Sequence, residues 1–215
     1  MSVKWVAKAV LQKGMSLAPH PQRVNYFFQQ HLSRSRTTRP AFLQMRIEWS
    51  SMHLDVLRRL GRADPGFHAI ELGSGWVPIV PVCYFLAGAE RVAMVDLEDL
   101  GRPELALQAI DSVLGAHERG ELEPLGEIDP ARVDRLRTVR EQIPLVGHHE
   151  ALASIGLHVT PGDARELQVQ RPPDLISSNT VFEHIPPAVL EGILRRFGQV
   201  GAPGTVMSHL VDLCD

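Results

Sequence analysis

Two glycines that follow an apolar segment constrain the fold of this chain more than any other feature. The segment Phe67–Ile70 leads into Glu-Leu-Gly-Ser-Gly at positions 71–75, and a second apolar segment, Val92–Val95, ends at Asp96. Glycine lacks a Cβ, so the backbone can turn sharply and a ligand can approach it closely. The pattern predicts strand, glycine turn, helix and strand, with a nucleotide-type ligand at the carboxyl ends of parallel strands.

The residues around the turn favour S-adenosylmethionine over a dinucleotide. A dinucleotide fingerprint needs a third glycine where this sequence has Pro78. The Glu71 carboxylate would repel a pyrophosphate, whereas it suits the cationic amino end of S-adenosylmethionine. Asp96 at the second strand tip can accept hydrogen bonds from both hydroxyls of a ribose. A nicotinamide-dependent oxidoreductase is therefore the disfavoured enzyme class.

At this point the sequence resembles the class I, Rossmann-like methyltransferases. Their first motif reads acidic-x-Gly-x-Gly-x-Gly, and residues 71–75 match it, with Val77 at the place of the last glycine. The resemblance implies that S-adenosyl-L-methionine is the cofactor. It also implies that the following residues bind the cofactor: Glu71, Gly73, Ser74, Gly75, Asp96 and Leu97.

A segment after the third expected strand fits the same resemblance. Gly-Asp-Ala-Arg at positions 162–165 follows the short apolar run Leu157–Val159. In the resembling family an acidic residue here binds the adenine amino group, and the next backbone N–H reaches a ring nitrogen. The resemblance thus implies adenine contacts for Asp163 and Ala164.

The segment Pro173–Pro186 looks like the fourth-strand motif of small-molecule methyltransferases. The resemblance places Asn179 at the strand tip, near the transferred methyl group, as a cofactor-binding residue. His184 follows close by, and histidine suits the role of a general base when the acceptor must lose a proton. A purely structural role for His184 is the alternative.

The order of these motifs predicts an α/β fold with a doubly wound, mostly parallel sheet. We expect an N-terminal helical cap over residues 1–63 and a methyltransferase core over residues 64–215. A helical insertion at about 100–156 would form either a lid over an acceptor pocket or a stabilising flap. Expected helices are Met1–Leu17, Val24–Leu32, Phe42–Leu60, Val77–Ala87, Pro103–His117, Pro130–Ile143 and Pro187–Phe197. Expected strands are Ala69–Leu72, Val92–Val95, Leu157–Val159, Asp174–Asn179 and Thr205–Leu210.

The last expected strand, Thr205–Leu210, bears on whether the sheet is complete. The resembling family adds two more strands in a hairpin after this point, and they are absent from the sequence. We therefore expect a truncated or partial chain, whose sheet is incomplete at the C-terminus. Open strand edges promote pairing, so oligomers can form through this edge.

Composition excludes several classes of function. The net charge of −3 gives no electrostatic case for binding nucleic acid. The sequence contains no apolar run near the roughly 20 residues that span a bilayer, so no integral membrane segment is expected. Cys83 and Cys214 form neither a metal-binding spacing nor a disulfide framework, which favours a reducing cytoplasm.

The dipeptide His148-His149 raises the possibility of a metal site. Adjacent side chains on a helix point in different directions, and no known ligand spacing is present. The sequence therefore predicts no metal ion.

The predicted function is an S-adenosylmethionine-dependent methyltransferase that acts on an unidentified small-molecule acceptor. A non-catalytic S-adenosylmethionine-binding module is the non-enzymatic alternative.

Overall fold

A five-stranded parallel sheet forms the centre of the computed structural model, which describes residues 40–213. Its spatial order is β3-β2-β1-β4-β5. The strands are β1 His68–Leu72, β2 Arg91–Asp96, β3 Leu157–Pro161, β4 Leu175–Asn179 and β5 Val206–Leu210. The chain order reverses between β1 and β4, and such a switch point opens a crevice at the carboxyl ends of the strands. The predicted α/β class and doubly wound parallel sheet are confirmed.

Helices cover both faces of this sheet. They are α1 Pro40–Arg59, α2 Ile79–Leu86, α3 Pro103–Glu118, α4 Pro130–Val146, α5 His148–Ala153 and α6 Pro187–Val200. Successive strand residues point to opposite faces. On β4, Ile176 packs in a buried cluster with Phe197 of α6. Its neighbour Ser177 accepts a hydrogen bond of 3.0 Å from the Tyr84 hydroxyl of α2, so α2 and α6 lie on opposite sides.

The register of the central strands brings the predicted motifs to one edge. Leu72 of β1 pairs with Val95 of β2 on one side and with Ser178 of β4 on the other. The residues that follow these three positions are the glycine turn, Asp96 and Asn179. The sheet therefore gathers them although more than 100 positions of sequence separate the first from the last.

The insertion between β2 and β3 contains three helices, α3 to α5, where the sequence predicted two. Helix α4 continues through Pro144 to Val146, although the prediction ended it at Ile143. Proline fixes a φ compatible with a helix but removes one hydrogen bond, and the helix continues for only two residues beyond it. Gly147, with φ 87°, then ends α4 and begins α5. A helix of six residues is too short to show a periodic apolar pattern.

Helix α1 belongs with the core. From Leu43 onward the described residues form one compact unit, and α1 buries Leu43, Ile47, Ser50, His53, Leu54 and Leu57. The predicted helices Met1–Leu17 and Val24–Leu32 lie outside the described residues. The domain boundary near residue 63 stays a prediction.

The position of β5 in the sheet tests one further expectation. Strand β5 pairs with β4 alone in the sheet that residues 40–213 form, so its edge position is confirmed. Association through this edge stays a prediction.

Within the described part of the chain, no helix has the length and apolar character needed to cross a membrane.

Candidate functional site

The turn after β1 needs glycine for two separate reasons. Gly73 and Gly75 adopt φ 72° and 65°, in the left-handed region that disfavours residues with a Cβ. A Cβ on Gly73 would also lie 2.4 Å from a methyl carbon of Val181. The Gly73 amide donates to the carbonyl of Val95 at 2.7 Å, which fixes the turn against β2.

Asp96 holds the same turn through its side chain. One carboxylate oxygen accepts from the Gly75 amide at 3.0 Å, and the other accepts from the Leu97 amide at 2.8 Å. Burial raises the pKa of Asp96, and these backbone donors oppose that shift. Each carboxylate oxygen has a second lone pair, so Asp96 can position the turn and still accept from a ligand hydroxyl.

A cavity opens beside this turn, between the tips of β1 to β3 and the insertion helices. It encloses about 420 Å³, part of which is open solvent. Ligand pockets are typically mostly apolar, with a few placed polar groups. The cavity is lined by Ser74, Gly75, Trp76, Pro78, Met94, Asp96, Glu98, Leu100, Gly101, Arg102, Ala106, His148, Leu152 and Val159.

Glu71, at the end of β1, is a buried carboxylate with an unfilled hydrogen-bonding position. It is 2% exposed, and its Oε2 has no hydrogen-bond partner among the described residues. Burial raises the pKa of Glu71 to about 7, while the Arg46 charge and the Asn179 amide lower it. Unpaired buried carboxylates are costly, so this atom is poised to accept from a cationic donor.

Asn179 lies near Glu71, whose pKa it lowers, and contacts a histidine on α1. Its Oδ1 lies 3.0 Å from His53 Nε2, and His53 Nδ1 lies 2.8 Å from the Ser208 hydroxyl. Burial lowers the pKa of His53, which favours a neutral ring that donates to Asn179 and accepts from Ser208. Within residues 40–213, Asn179 Nδ2 is buried without a hydrogen-bond partner. A donor and an acceptor are thus both unfilled beside the strand tips.

A second histidine packs near this network. His209 Nδ1 lies 2.9 Å from the Ser178 hydroxyl, and its ring lies 4.3 Å from that of Phe182, centroid to centroid. Burial first, and then the charge of His53, lower the pKa of His209 to about 4. The ring is therefore neutral at physiological pH, as a packed structural histidine or a proton acceptor would be.

The structure separates the predicted cofactor residues into groups. Ser74, Gly75 and Asp96 line the cavity, whereas Glu71 and Asn179 lie together in the buried network. Leu97 is 72% exposed, and its amide is bound to Asp96.

Asp163 and Ala164 begin a short 3-10 helix after β3. The Asp163 carboxylate accepts from the Arg165 amide at 2.9 Å and forms an ion pair with the Arg165 guanidinium. This arginine lowers the pKa of Asp163 to about 2. The Gly162 amide donates to the Asp96 carbonyl at 2.8 Å, which ties this segment to β2. Adenine binding by Asp163 and Ala164 stays a prediction.

His184 ends another 3-10 helix, Phe182–His184, and its side chain is exposed. It does not belong to the residues that line the described cavity. Its role as a general base stays a prediction.

Sequence reasoning missed the contribution of α1. Arg46 and His53 reach the strand tips, the first through its charge on Glu71 and the second through Asn179. The sequence contained a pattern that could have indicated this contribution. Arg46, Ser50 and His53 recur at helical spacing. They share one side of the helix with the apolar residues Ile47, Leu54 and Leu57. Polar residues on a buried helix face indicate buried polar partners.

No protein-family model matches this chain, and no curated protein matches its sequence. Solved structures do match it. The DhpI–SAH complex has 14% identity and a TM-score of 0.44, with 87% of this chain and 67% of that chain covered. The glycopeptide N-methyltransferase MtfA has 13% identity and a TM-score of 0.40, with 74% and 51% covered. A SAM-dependent methyltransferase from Thiobacillus denitrificans, in complex with S-adenosyl-L-homocysteine, has 14% identity and a TM-score of 0.38, with 73% and 46% covered.

The chain spans about half the length of the last two proteins. With TM-scores below 0.5, the similarity assigns neither a substrate nor a residue role to this chain. The strand order and the parallel register define a doubly wound, Rossmann-like α/β fold, and they confirm the predicted fold class.

Proposed function

We propose that this chain binds S-adenosylmethionine at the β1 turn and transfers its methyl group to a small molecule. One observation carries the proposal. A glycine turn held by Asp96 lies two residues from Glu71, a buried carboxylate with an unfilled acceptor position. This combination suits a ligand that has ribose hydroxyls and a cationic amino group, and it opposes a pyrophosphate.

The buried polar network supplies the proposed contacts to the amino acid end of the cofactor. Glu71 Oε2 would accept from the ligand ammonium, and Asn179 Nδ2 would donate to the ligand carboxylate. Filling both positions removes the cost of two unpaired buried groups, so binding gains free energy from each. His53 holds the Asn179 side chain in place from α1.

Asp96 would bind the ribose, and Asp163 with Ala164 and Leu97 would bind the adenine. Asp163 keeps lone pairs beyond those used by Arg165, since a carboxylate has about four acceptor positions. Trp76 and Arg102, whose guanidinium carbon lies 5.9 Å from the Trp76 ring centroid, would close the cavity wall.

Methyl transfer from a sulfonium asks little of the protein beyond alignment. The donor already carries its leaving group, so holding it in line with the acceptor supplies most of the acceleration. When the acceptor must lose a proton, His184 is the proposed base. The exposed position of His184 also favours the second candidate function, a module that binds the cofactor without catalysis.

Transfer of a tritiated methyl group separates the two candidates. The chain is incubated with labelled S-adenosylmethionine and a small-molecule extract, and bound and transferred label are measured separately. We expect label in the extract, reduced at least about tenfold by Asp96→Ala through weaker binding. His184→Ala should lower transfer and leave binding unchanged. Binding of label without transfer to any extract would contradict the enzymatic proposal and support the binding module.

A further inference from the structure

Three side chains with metal-binding atoms meet beside the cavity. Asp99 lies on the loop after β2, and His148 and His149 begin α5. Each offers one ligand atom, and these atoms all lie within 4.8 Å of one another. We propose that Asp99, His148 and His149 bind a divalent transition-metal ion at the wall of the cavity.

The adjacent histidines come together because they lie at the start of a helix. The ring centroids of His148 and His149 are 4.0 Å apart, with the planes tilted by 48°. His149 Nε2 also lies 3.1 Å from Asp99 Oδ2. Adjacent residues on a regular helix point in different directions, but these two rings lie close together at the start of α5, where Asp99 also reaches them.

His148 Nε2 faces a space beside Gly101. His148 Nε2 is buried and has no hydrogen-bond partner among the described residues. A Cβ on Gly101 would lie 2.8 Å from this nitrogen and 3.2 Å from Asp99 Oδ1. Because Gly101 has no side chain, space remains between the two candidate ligand atoms. A buried imidazole nitrogen without a protein partner, facing such a space, can coordinate an ion placed there.

A neighbouring backbone amide orients one of the three side chains. The Gly101 amide donates to Asp99 Oδ1 at 3.1 Å, which orients the carboxylate as outer-shell hydrogen bonds do in metal sites.

Two imidazoles and one carboxylate select an ion of borderline softness. This set suits Zn²⁺, Co²⁺ or Fe²⁺ better than Mg²⁺ or Ca²⁺, which prefer oxygen ligands alone. Three protein ligands leave at least one position for water or a substrate oxygen, as in catalytic zinc sites. His148 and Gly101 line the same cavity as Gly75 and Asp96, so the open position would be accessible to a ligand there.

Metal titration of the untagged chain tests the site without any cofactor, so its outcome does not depend on the proposed methyltransferase function. We expect one Zn²⁺ per chain in calorimetry. We also expect that Co²⁺ gives the visible absorption of a four-coordinate ion. The proposal would be overturned if the chain bound neither Zn²⁺ nor Co²⁺.

Substitution of two of the proposed ligands tests where the ion binds. His149→Ala and Asp99→Asn lie at exposed positions, so both variants should fold, as circular dichroism can verify. Each should weaken Zn²⁺ binding by at least the roughly 10–100-fold that loss of an outer-shell partner costs. His117→Ala, a partly exposed histidine of α3 outside the cluster, is the matched control and should bind as the parent does. Equal affinity in all three variants would overturn the proposal.

Gly101→Ala tests the geometry rather than the ligands. Its Cβ would occupy the space beside His148 Nε2 while all three ligand side chains remain. We expect Zn²⁺ affinity to fall at least about tenfold and the Co²⁺ spectrum to change, as when support of the ligands is lost. Binding and spectrum identical to the parent would contradict an ion coordinated by His148.

Discussion

Asp96 has two roles in this account, and a single substitution removes both. Its carboxylate holds the amides of Gly75 and Leu97 and would accept from the ribose hydroxyls. Asp96→Ala should therefore weaken S-adenosylmethionine binding by on the order of 1.5–3 kcal/mol, the typical range for hydrogen bonds to a charged group. Calorimetric titration at fixed salt measures this loss.

Glu98→Ala is the matched control for Asp96→Ala. Glu98 also carries a carboxylate and lines the cavity, but its side chain is exposed beyond the end of β2. Its loss should change affinity by no more than about 0.5 kcal/mol, as is usual for surface substitutions. Equal effects of the two substitutions would show that the ribose does not lie at the tip of β2.

Glu71 should make stability depend on pH. Burial raises the pKa of Glu71 from 4.5 to about 7, so between these values the native state holds a proton that the unfolded state has released. Stability contributed by the protonated carboxyl is present at low pH and falls as pH rises through this window. At about 1.4 kcal/mol per pKa unit, the full loss is roughly 3 kcal/mol.

Glu71→Gln removes that titration while keeping the shape of the side chain. Urea denaturation at pH 5 and pH 8 should show the variant gaining up to roughly 3 kcal/mol relative to the parent at the higher pH. Glu98→Gln, an exposed counterpart, should show no such gain. A difference between variant and parent that is the same at both pH values would mean that Glu71 is ionised throughout.

At the scale of elements, Gly156 ends the insertion just before β3 and lies against the residue that precedes β2. Gly156 has φ 86°, and a Cβ there would lie 2.0 Å from the carbonyl oxygen of Glu90. Gly147 has φ 87° and no neighbour within 4 Å of such a Cβ in the described residues. The two glycines share a positive φ and differ in the space available to a Cβ.

This pair predicts two different costs for the same substitution. Gly147→Ala should lose about 1–3 kcal/mol of stability, because its φ of 87° and ψ of 159° lie in a region essentially restricted to glycine. Gly156→Ala should lose at least about 1–3 kcal/mol more, because the backbone of β2 must move away. The midpoints of urea unfolding measure both. Equal midpoints would indicate that the turn at Gly156 relaxes freely.

Elements with a strong local pattern could be predicted from the sequence. All five strands appear where the apolar segments indicated, and Pro103–Glu118 matches its prediction within one residue. Helix α5 could not be predicted, because its six residues fit between the end of α4 and Gly156 with no period of their own. Helix α4 continues two residues past Pro144, so the proline did not mark its last residue.

At the scale of the whole molecule, the contacts that complete the site depend on the tertiary fold. The sequence indicated Gly73, Gly75 and Asp96, because local strand and turn chemistry marks them. The approach of His53 to Asn179 spans 126 positions, and that pairing follows only from the docking of α1 on the sheet. The meeting of Asp99 with His149 likewise requires the folded insertion.

The central claim is that the β1 turn binds S-adenosylmethionine and rejects a dinucleotide. Titration of the chain with S-adenosylmethionine, S-adenosylhomocysteine and NAD in one calorimetric series tests it most directly. The account predicts saturable binding of the first two at one site per chain and no measurable heat of binding with NAD. Saturable binding of NAD without binding of either S-adenosyl compound would contradict it.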